Sequence, residues 1–447
     1  MTTRFTRLAL LMSASLFATN AVAADLSGNC CADLEERIAE LEATTARKGN
    51  RKVSLTVSGW VNTSVLFWDN GSESNAYVVD NVQDRTRARF LGSAKINSDL
   101  EAGYLLELGF RNSRADRVTE SNSDGDAAAI DIRHSSWYLK SKELGKITVG
   151  QTSQVSDGIT QINLAGINHV SRSQVFDWNQ SFSILGQGNA ATGQRWRDLA
   201  VRENPGEGNR QNLVRYDTPT FAGFIASAAW GEDDVWDVGL RYSGEFSGFK
   251  LAAGIAYAQW TQSNTGTNTG NTCRNSGGVA EGGASGNASC DTLGLSVSLL
   301  HQTTGLFGNF AYGYLEDDRR VDDLNSTVGL AGRVDNRDEF YWFQGGIQQK
   351  WLPVGKSTIY GEYYRGDFGT SGNVLNNAGF AATAGANRII NSEVDMWGIG
   401  LNQSIDAAAM DLYVGYRNYE ADVTLSGGKA QGLQDFQAVM TGGIVRF

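Results

Sequence analysis

The feature that most narrows what this chain can fold into is a period of two. From Val53 to Phe447, apolar side chains fall at every second position in segments of about 10 to 13 residues. Successive side chains of a strand point to opposite faces, so each segment offers one face to an apolar medium and the other to a polar one. Between residues 249 and 258, Phe249, Leu251, Ala253, Ile255 and Tyr257 are mostly large and apolar, whereas Lys250, Ala252, Gly254, Ala256 and Ala258 are small or charged. The same division sets Leu100, Tyr104, Leu106, Leu108 and Phe110 against Glu101, Gly103, Glu107 and Arg111. Near the end it sets Met410, Leu412, Val414 and Tyr416 against Asp411 and Arg417. No stretch reaches the roughly 18 consecutive apolar residues that a membrane-spanning helix requires, so any crossing of a bilayer must use strands.

Soluble sandwiches alternate too, and spacing separates the two possibilities. Short turns are expected at Asn97 to Asp99, Ser141 to Gly145, Thr218 to Gly223, Glu245 to Gly248, Thr303 to Gly308, Trp351 to Lys356 and Ile405 to Ala408. Longer polar connections are expected at about 69 to 82, 113 to 128, 153 to 209, 263 to 290, 319 to 337, 370 to 391 and 425 to 434, with a brief one at Glu232 to Asp234. Seven turns and eight such connections make sixteen strands with both ends on one side. The expected fold is therefore all-β, a 16-stranded antiparallel transmembrane β-barrel. Clusters such as Phe340 to Phe343 with Trp351, and Tyr413 with Tyr419, fit the aromatic girdles of a lipid-facing wall. A content of 53 Gly and only 3 Pro suits strands of this kind.

The first residues read Arg4 and Arg7, an apolar run from Leu8 to Phe17, then Ala21-Val22-Ala23, the order of a secretory signal peptide ending at residue 23. Removing it takes away two arginines and moves the formal charge from −11 to −13, which disfavours nucleic acid as a partner. From Cys31 the apolar residues Leu34, Ile38 and Leu41 continue a heptad seam between Glu35, Glu36, Arg37, Glu40 and Glu42. Two heptads do not hold together alone, so this helix and its basic linker, residues 24 to 52, need a larger assembly to associate; residues 53 to 447 form the barrel. Adjacent Cys30 and Cys31 can meet their copies in other subunits. Cys273 and Cys290 flank a polar stretch and suit a disulfide that staples a surface loop.

Three segments carry a resemblance: Cys31-Ala-Asp-Leu-Glu-Glu-Arg-Ile-Ala-Glu-Leu-Glu leading into Arg51-Lys-Val-Ser-Leu-Thr-Val-Ser-Gly59, then Asn212-Leu-Val-Arg-Tyr-Asp-Thr-Pro-Thr-Phe-Ala-Gly-Phe224, and the final Phe447. The mature chain resembles the trimeric porins of alphaproteobacteria within the general-diffusion porin class. The resemblance implies an outer-membrane homotrimer, a third loop folded into the lumen, and passive diffusion of small hydrophilic solutes and ions. It also implies a periplasmic N-terminal helix, with Phe447 as the signal read during barrel insertion.

Arg85, Arg87 and Arg89 stand at alternate positions, which on a strand puts all three on one face. A charge facing hydrocarbon costs about 2 to 4 kcal/mol at mid-depth, so that face is the lumen. By the same parity Arg133 and Arg215 point inward. If the connection 153 to 209 folds inward, Asp157 and Asp177 are the expected acids opposite them at a pore constriction, with Asp198 a weaker candidate. The alternative is that this connection lies outside as a cap or subunit contact and the arginines pair only with neighbouring wall acids. Inward aromatics look scattered and lysines few, which argues against a sugar slide or a phosphate ladder, the marks of a substrate-selective channel. His134, His169 and His301 form no constellation with a nucleophile and an acid, and His134 falls on the outward parity. No enzyme, metal site or cofactor is expected; an adhesin role for the external loops stays open.

Overall fold

The computed structural model describes residues 53–125, 127–200, 204–231, 235–260, 290–379 and 385–447. The signal segment, the heptad helix, Cys30, Cys31 and Cys273 lie outside them. Among the described residues, eighteen strand segments form one sheet. They amount to sixteen crossings, because Ser74–Asp80 and Arg87–Lys95 are two parts of one crossing and Gly428–Lys429 is a short pairing within a loop.

The crossings are β1 (Thr56–Asp69), β2 (Ser74–Asp80 with Arg87–Lys95), β3 (Leu100–Arg111), β4 (Ala129–Ser141), β5 (Gly145–Ser153) and β6 (Arg210–Asp217). Then come β7 (Phe224–Gly231), β8 (Val235–Phe246), β9 (Phe249–Trp260), β10 (Cys290–His301) and β11 (Leu306–Asp317). The last are β12 (Arg337–Leu352), β13 (Gly355–Phe368), β14 (Ile389–Ile405), β15 (Met410–Leu425) and β16 (Phe436–Arg446). Each pairs antiparallel with the next, and β16 returns to β1 from Trp60↔Arg446 to Asp69↔Gln437. Apart from the break in β2 and the bulges, the backbone along each crossing is paired with a neighbouring strand, which is what lets a sheet stand in hydrocarbon.

The turns explain the register. Ser247 and Gly248, the two residues between β8 and β9, both have positive φ (47° and 82°), the mirror-image turn whose twist matches a two-residue hairpin. Outside the barrel, rings pair across neighbouring strands, among them Phe224 with Tyr242 at 4.7 Å, Phe310 with Phe343 at 5.0 Å and Trp397 with Tyr416 at 5.3 Å. Cys290, the first residue of β10, is held in a disulfide whose other half lies outside the described residues.

One connection departs from expectation. Residues 69 to 82 are not a long loop: Asn70 to Glu73 make a tight turn, closed by the Asn70 amide on the Glu73 carbonyl at 3.1 Å, and the chain re-enters the sheet at Ser74. The polar residues that suggested a loop instead interrupt β2 in a short 3-10 turn, Val82–Asp84, capped by the Asn81 side chain.

Candidate pore constriction

The connection after β5, residues 154–209, folds into the barrel and packs against one side of it. Its Val175, Phe176, Trp178, Phe182 and Trp196 join inward-facing Leu66, Trp68, Trp342, Tyr360, Tyr364, Tyr419 and Phe436 in a single buried cluster. Aromatics that look scattered along the sequence are therefore gathered by the barrel onto β10–β16 and β1, where the loop covers them. Within this dry region sits an ion pair. Arg417 Nε donates to Glu362 Oε1 at 2.8 Å with both side chains at most 1% exposed, and the guanidinium lies 4.3 Å from the centre of the Trp178 ring. Arg417 also donates to the Val175 carbonyl, as does Tyr419, while Ser171 and Trp342 donate to Glu362. Each guanidinium nitrogen and both carboxylate oxygens thus have a partner, the condition under which a buried pair is tolerated.

The loop's other arm lies on a track of small residues. A Cβ on Gly313 would collide with the Pro205 carbonyl, and one on Gly294 with the Gly206 carbonyl. Ile159 and Ile162 press against Gly254. The alternating small residues of β9 to β11, which read as lining water, are where a backbone approaches the wall. Glu207 secures this arm by accepting from the Gly158 amide at 2.7 Å and the Thr160 hydroxyl at 2.5 Å.

The opposite wall, β2–β6, carries the arginines. Glu107 on β3, with its side chain 4% exposed, accepts from Arg133 Nε at 2.7 Å and Arg87 Nη1 at 3.2 Å and is ion-paired with Arg89, whose Nε stands 3.0 Å away. Arg87 also reaches Asp84 at 2.9 Å and lies 4.5 Å from the centre of the Trp60 ring. Arg85 stands just after the 3-10 turn, not on the strand, and grips Asp131 with one nitrogen at 2.7 and 2.8 Å. Arg215 pairs with Asp217 at 2.8 Å and donates to the Ser153 and Gln154 carbonyls. On the loop, Asp157 takes Arg210 at 3.1 Å and the Ser153 hydroxyl at 2.6 Å, and Asp177 takes Arg172 at 2.9 Å. Asp198 accepts the Arg195 amide at 2.8 Å, away from the arginine wall.

The arginines and the loop aspartates therefore occupy facing surfaces: Arg85, Arg87, Arg89, Arg133 and Arg215 are satisfied by acids of the wall and Asp177 by Arg172 of the loop, while Asp157 reaches Arg210 at the start of β6. What ties the surfaces together is the break in β2: Asn81 donates to the His169 carbonyl at 2.8 Å, and Arg172 donates to the Val82 carbonyl at 3.2 Å. Sequence reasoning missed Glu107, Asp131, Arg172 and Arg210 as members of this cluster, although the inward parity of Glu107 was readable. It also placed His134 outside. A bulge where Glu107 pairs with His134 and Leu108 with Ile132 leaves Arg133 unopposed and turns both Arg133 and His134 inward, where His134 meets the Thr152 hydroxyl at 3.3 Å.

Comparison with known proteins accords with this architecture. A family model described as Gram-negative porin matches residues 8–424. The fold is similar to that of an anion-selective porin from Comamonas acidovorans, 17% identical over 88% of this chain and 100% of that one, with a TM-score of 0.53. It is also similar to the outer-membrane channel DcaP of Acinetobacter baumannii, 13% identical over 90% of this chain and 100% of that one, with a TM-score of 0.51. At such identities these two likenesses speak for the fold alone. No curated protein is a significant match.

Proposed function

This chain belongs to the Gram-negative porin family and forms a passive diffusion channel of the bacterial outer membrane, and we propose that its solutes pass between the β2–β6 wall and the inner loop. The neck of that path is set by Arg85, Arg87, Arg89, Arg133 and Arg215 on the wall and by Asp157 and Asp177 on the loop. The observation that carries this reading is the sharing of Glu107 among three arginines. Five arginines (85, 87, 89, 111 and 133) face three carboxylates (Asp84, Glu107 and Asp131), so the wall keeps two positive charges in excess, while the Arg172–Asp177 and Arg210–Asp157 pairs cancel. Fixed charges and dipoles beside a narrow water column order water and raise the cost of apolar solutes, and the excess charge favours small anions. Replacing Arg87 and Arg89 with Ser should shift the reversal potential in a salt gradient toward cations in planar bilayers. An unchanged potential removes them from the neck.

We further propose a homotrimer with its contact on β1–β5. Around β11–β14 the outer surface carries tyrosines bonded to carboxylates above the aromatic girdle: Tyr312 on Glu339, Tyr314 on Glu316 and Tyr363 on Asp395. On β1–β4 the exposed outward residues include Val61, Val78, Ile130 and Ile132. A surface that meets headgroups wants the first set, and one that meets another copy suits the second. The heptad helix of residues 24 to 52 would then associate in the periplasm, Phe447 would serve barrel insertion, and the motif around Cys31 favours the alphaproteobacterial subgroup. Cross-linking of purified protein in detergent tests the subunit number.

A further inference from the structure

Below the arginine wall the register stacks three layers across β2–β6. The first is Leu91↔Leu105↔Ser136↔Gly150, the second Ser93↔Gly103↔Tyr138↔Thr148↔Arg215, and the third Lys95↔Glu101↔Lys140↔Lys146↔Asp217. They border a recess of about 450 Å³ lined by Leu91, Leu105, Tyr138, Lys146 and Thr148, among others. A recess of roughly 300 to 1,000 Å³ is the size that holds a small organic ligand.

Three independent features of this recess serve nothing else in the fold. Leu91 and Leu105 face the lumen side by side yet belong to no buried apolar cluster. Thr148 is 6% exposed and its hydroxyl has no hydrogen-bond partner. Lys146 places its ammonium 5.1 Å from the centre of the Tyr138 ring and, among the described residues, has no carboxylate in ion-pairing range. The neck arginines, by contrast, each have an acid within ion-pairing range, Glu107 serving three of them.

We propose that this recess is a binding site for small aromatic monocarboxylates. The carboxylate sits against the Lys146 ammonium and accepts a hydrogen bond from the Thr148 hydroxyl, while the ring lies on Leu91, Leu105 and the Tyr138 face. Lys95 and Lys140 stand in the same layer at the mouth with Glu101 and Asp217, so three lysines face two carboxylates there. A phosphate fits less well, because it calls for forked guanidinium donors and Arg215 is already committed to Asp217, Ser153 and Gln154. A neutral sugar leaves the ammonium unmatched. The site lies below the β2 arginines of the neck and meets the neck only at Arg215, which borders both: Arg89 and Ser93 are four residues apart on β2, about 13 Å along a strand.

Benzoate is the probe, added to chloride-conducting single channels in planar bilayers, with acetate and benzyl alcohol as controls for charge alone and ring alone. Benzoate should interrupt the current at concentrations where neither control does. Lys146→Gln and Leu105→Ser should each raise the half-blocking concentration about tenfold, the equivalent of one lost charge-assisted or apolar contact. Lys146→Arg should retain the block, and Arg89→Ser should leave it in place. Equal block by acetate, or a benzoate block untouched by Lys146→Gln, overturns the site. Loss of block in Arg89→Ser with Lys146→Gln unaffected moves binding to the neck and overturns it equally.

Discussion

The lumen has a dry half and a wet half, built by the same alternation. On β10–β16 and β1, inward residues meet the folded loop and behave as a protein core, with Trp68, Trp342, Tyr364 and Phe436 almost fully buried and the Arg417–Glu362 pair sealed among them. On β2–β6, inward residues meet water and are charged: Arg89 keeps 32% of its side chain exposed while sharing Glu107. A salt bridge therefore has two uses in one barrel. In the dry half it seats a loop, since removal of either partner strands a charge where water does not reach. In the wet half it spaces guanidiniums along a wall without cancelling them.

That contrast can be broken most forcefully at Glu362. Glu362→Leu leaves Arg417 buried without a counter-charge, a cost of about 3 to 5 kcal/mol. The loop should lose its seat, seen as protease cleavage within residues 154–209 and a larger single-channel conductance; retained protection would show that the pair does not anchor it. Next comes the small-residue track. Gly313→Val drives a side chain into the Pro205 carbonyl at about 1 to 3 kcal/mol, whereas Gly308→Ala on the same strand meets nothing within 4 Å and should be silent in thermal melts. In the wet half, Glu107→Gln should cost less stability than Glu362→Leu, because Arg89 keeps 32% of its side chain exposed, and should raise anion preference. One charge at about 8 Å in water is worth about 0.5 kcal/mol, roughly a twofold change in permeability ratio. Smallest of all is an effect of pH. Burial pushes the Asp177 carboxyl above its usual range, although Arg172 pulls it back. On acidification Asp177 should therefore lose its charge before an ordinary carboxylate does and leave Arg172 uncompensated, so that anion preference climbs as pH falls. A fall in anion preference, or the same climb in Asp177→Asn, would remove Asp177 from the neck.

The wall itself was legible from sequence because period two is a local property. Sixteen crossings and the inward parity of Arg87, Arg89 and Arg215 follow from reading a few residues at a time. What faces the inward side is a different matter, since it depends on where residues 154–209 go. Hence Ala252, Gly254 and Ala256 look the same whether they line water or receive Ile159 and Ile162, and Trp342 and Tyr419 reveal their common cluster only once β12 and β15 are curved toward one loop. His134 failed for another reason: a bulge adds one residue to one strand, nothing in Ile132-Arg133-His134 marks it, and every later inward assignment on that strand shifts by one. Arg85 failed by one turn of chain, because Val82–Asp84 leaves the ladder to reach the loop.

The seam between β1 and β16 joins residues that stand more than 360 positions apart in the chain, in ten register pairs from Trp60↔Arg446 to Asp69↔Gln437. Contacts this distant are the slowest to form. Throughout synthesis and export, one margin of β1 has no mate, and until the final strand arrives it can recruit a strand from any neighbouring polypeptide. Biogenesis is therefore a race between closure and aggregation. The last strand to leave the ribosome decides the outcome.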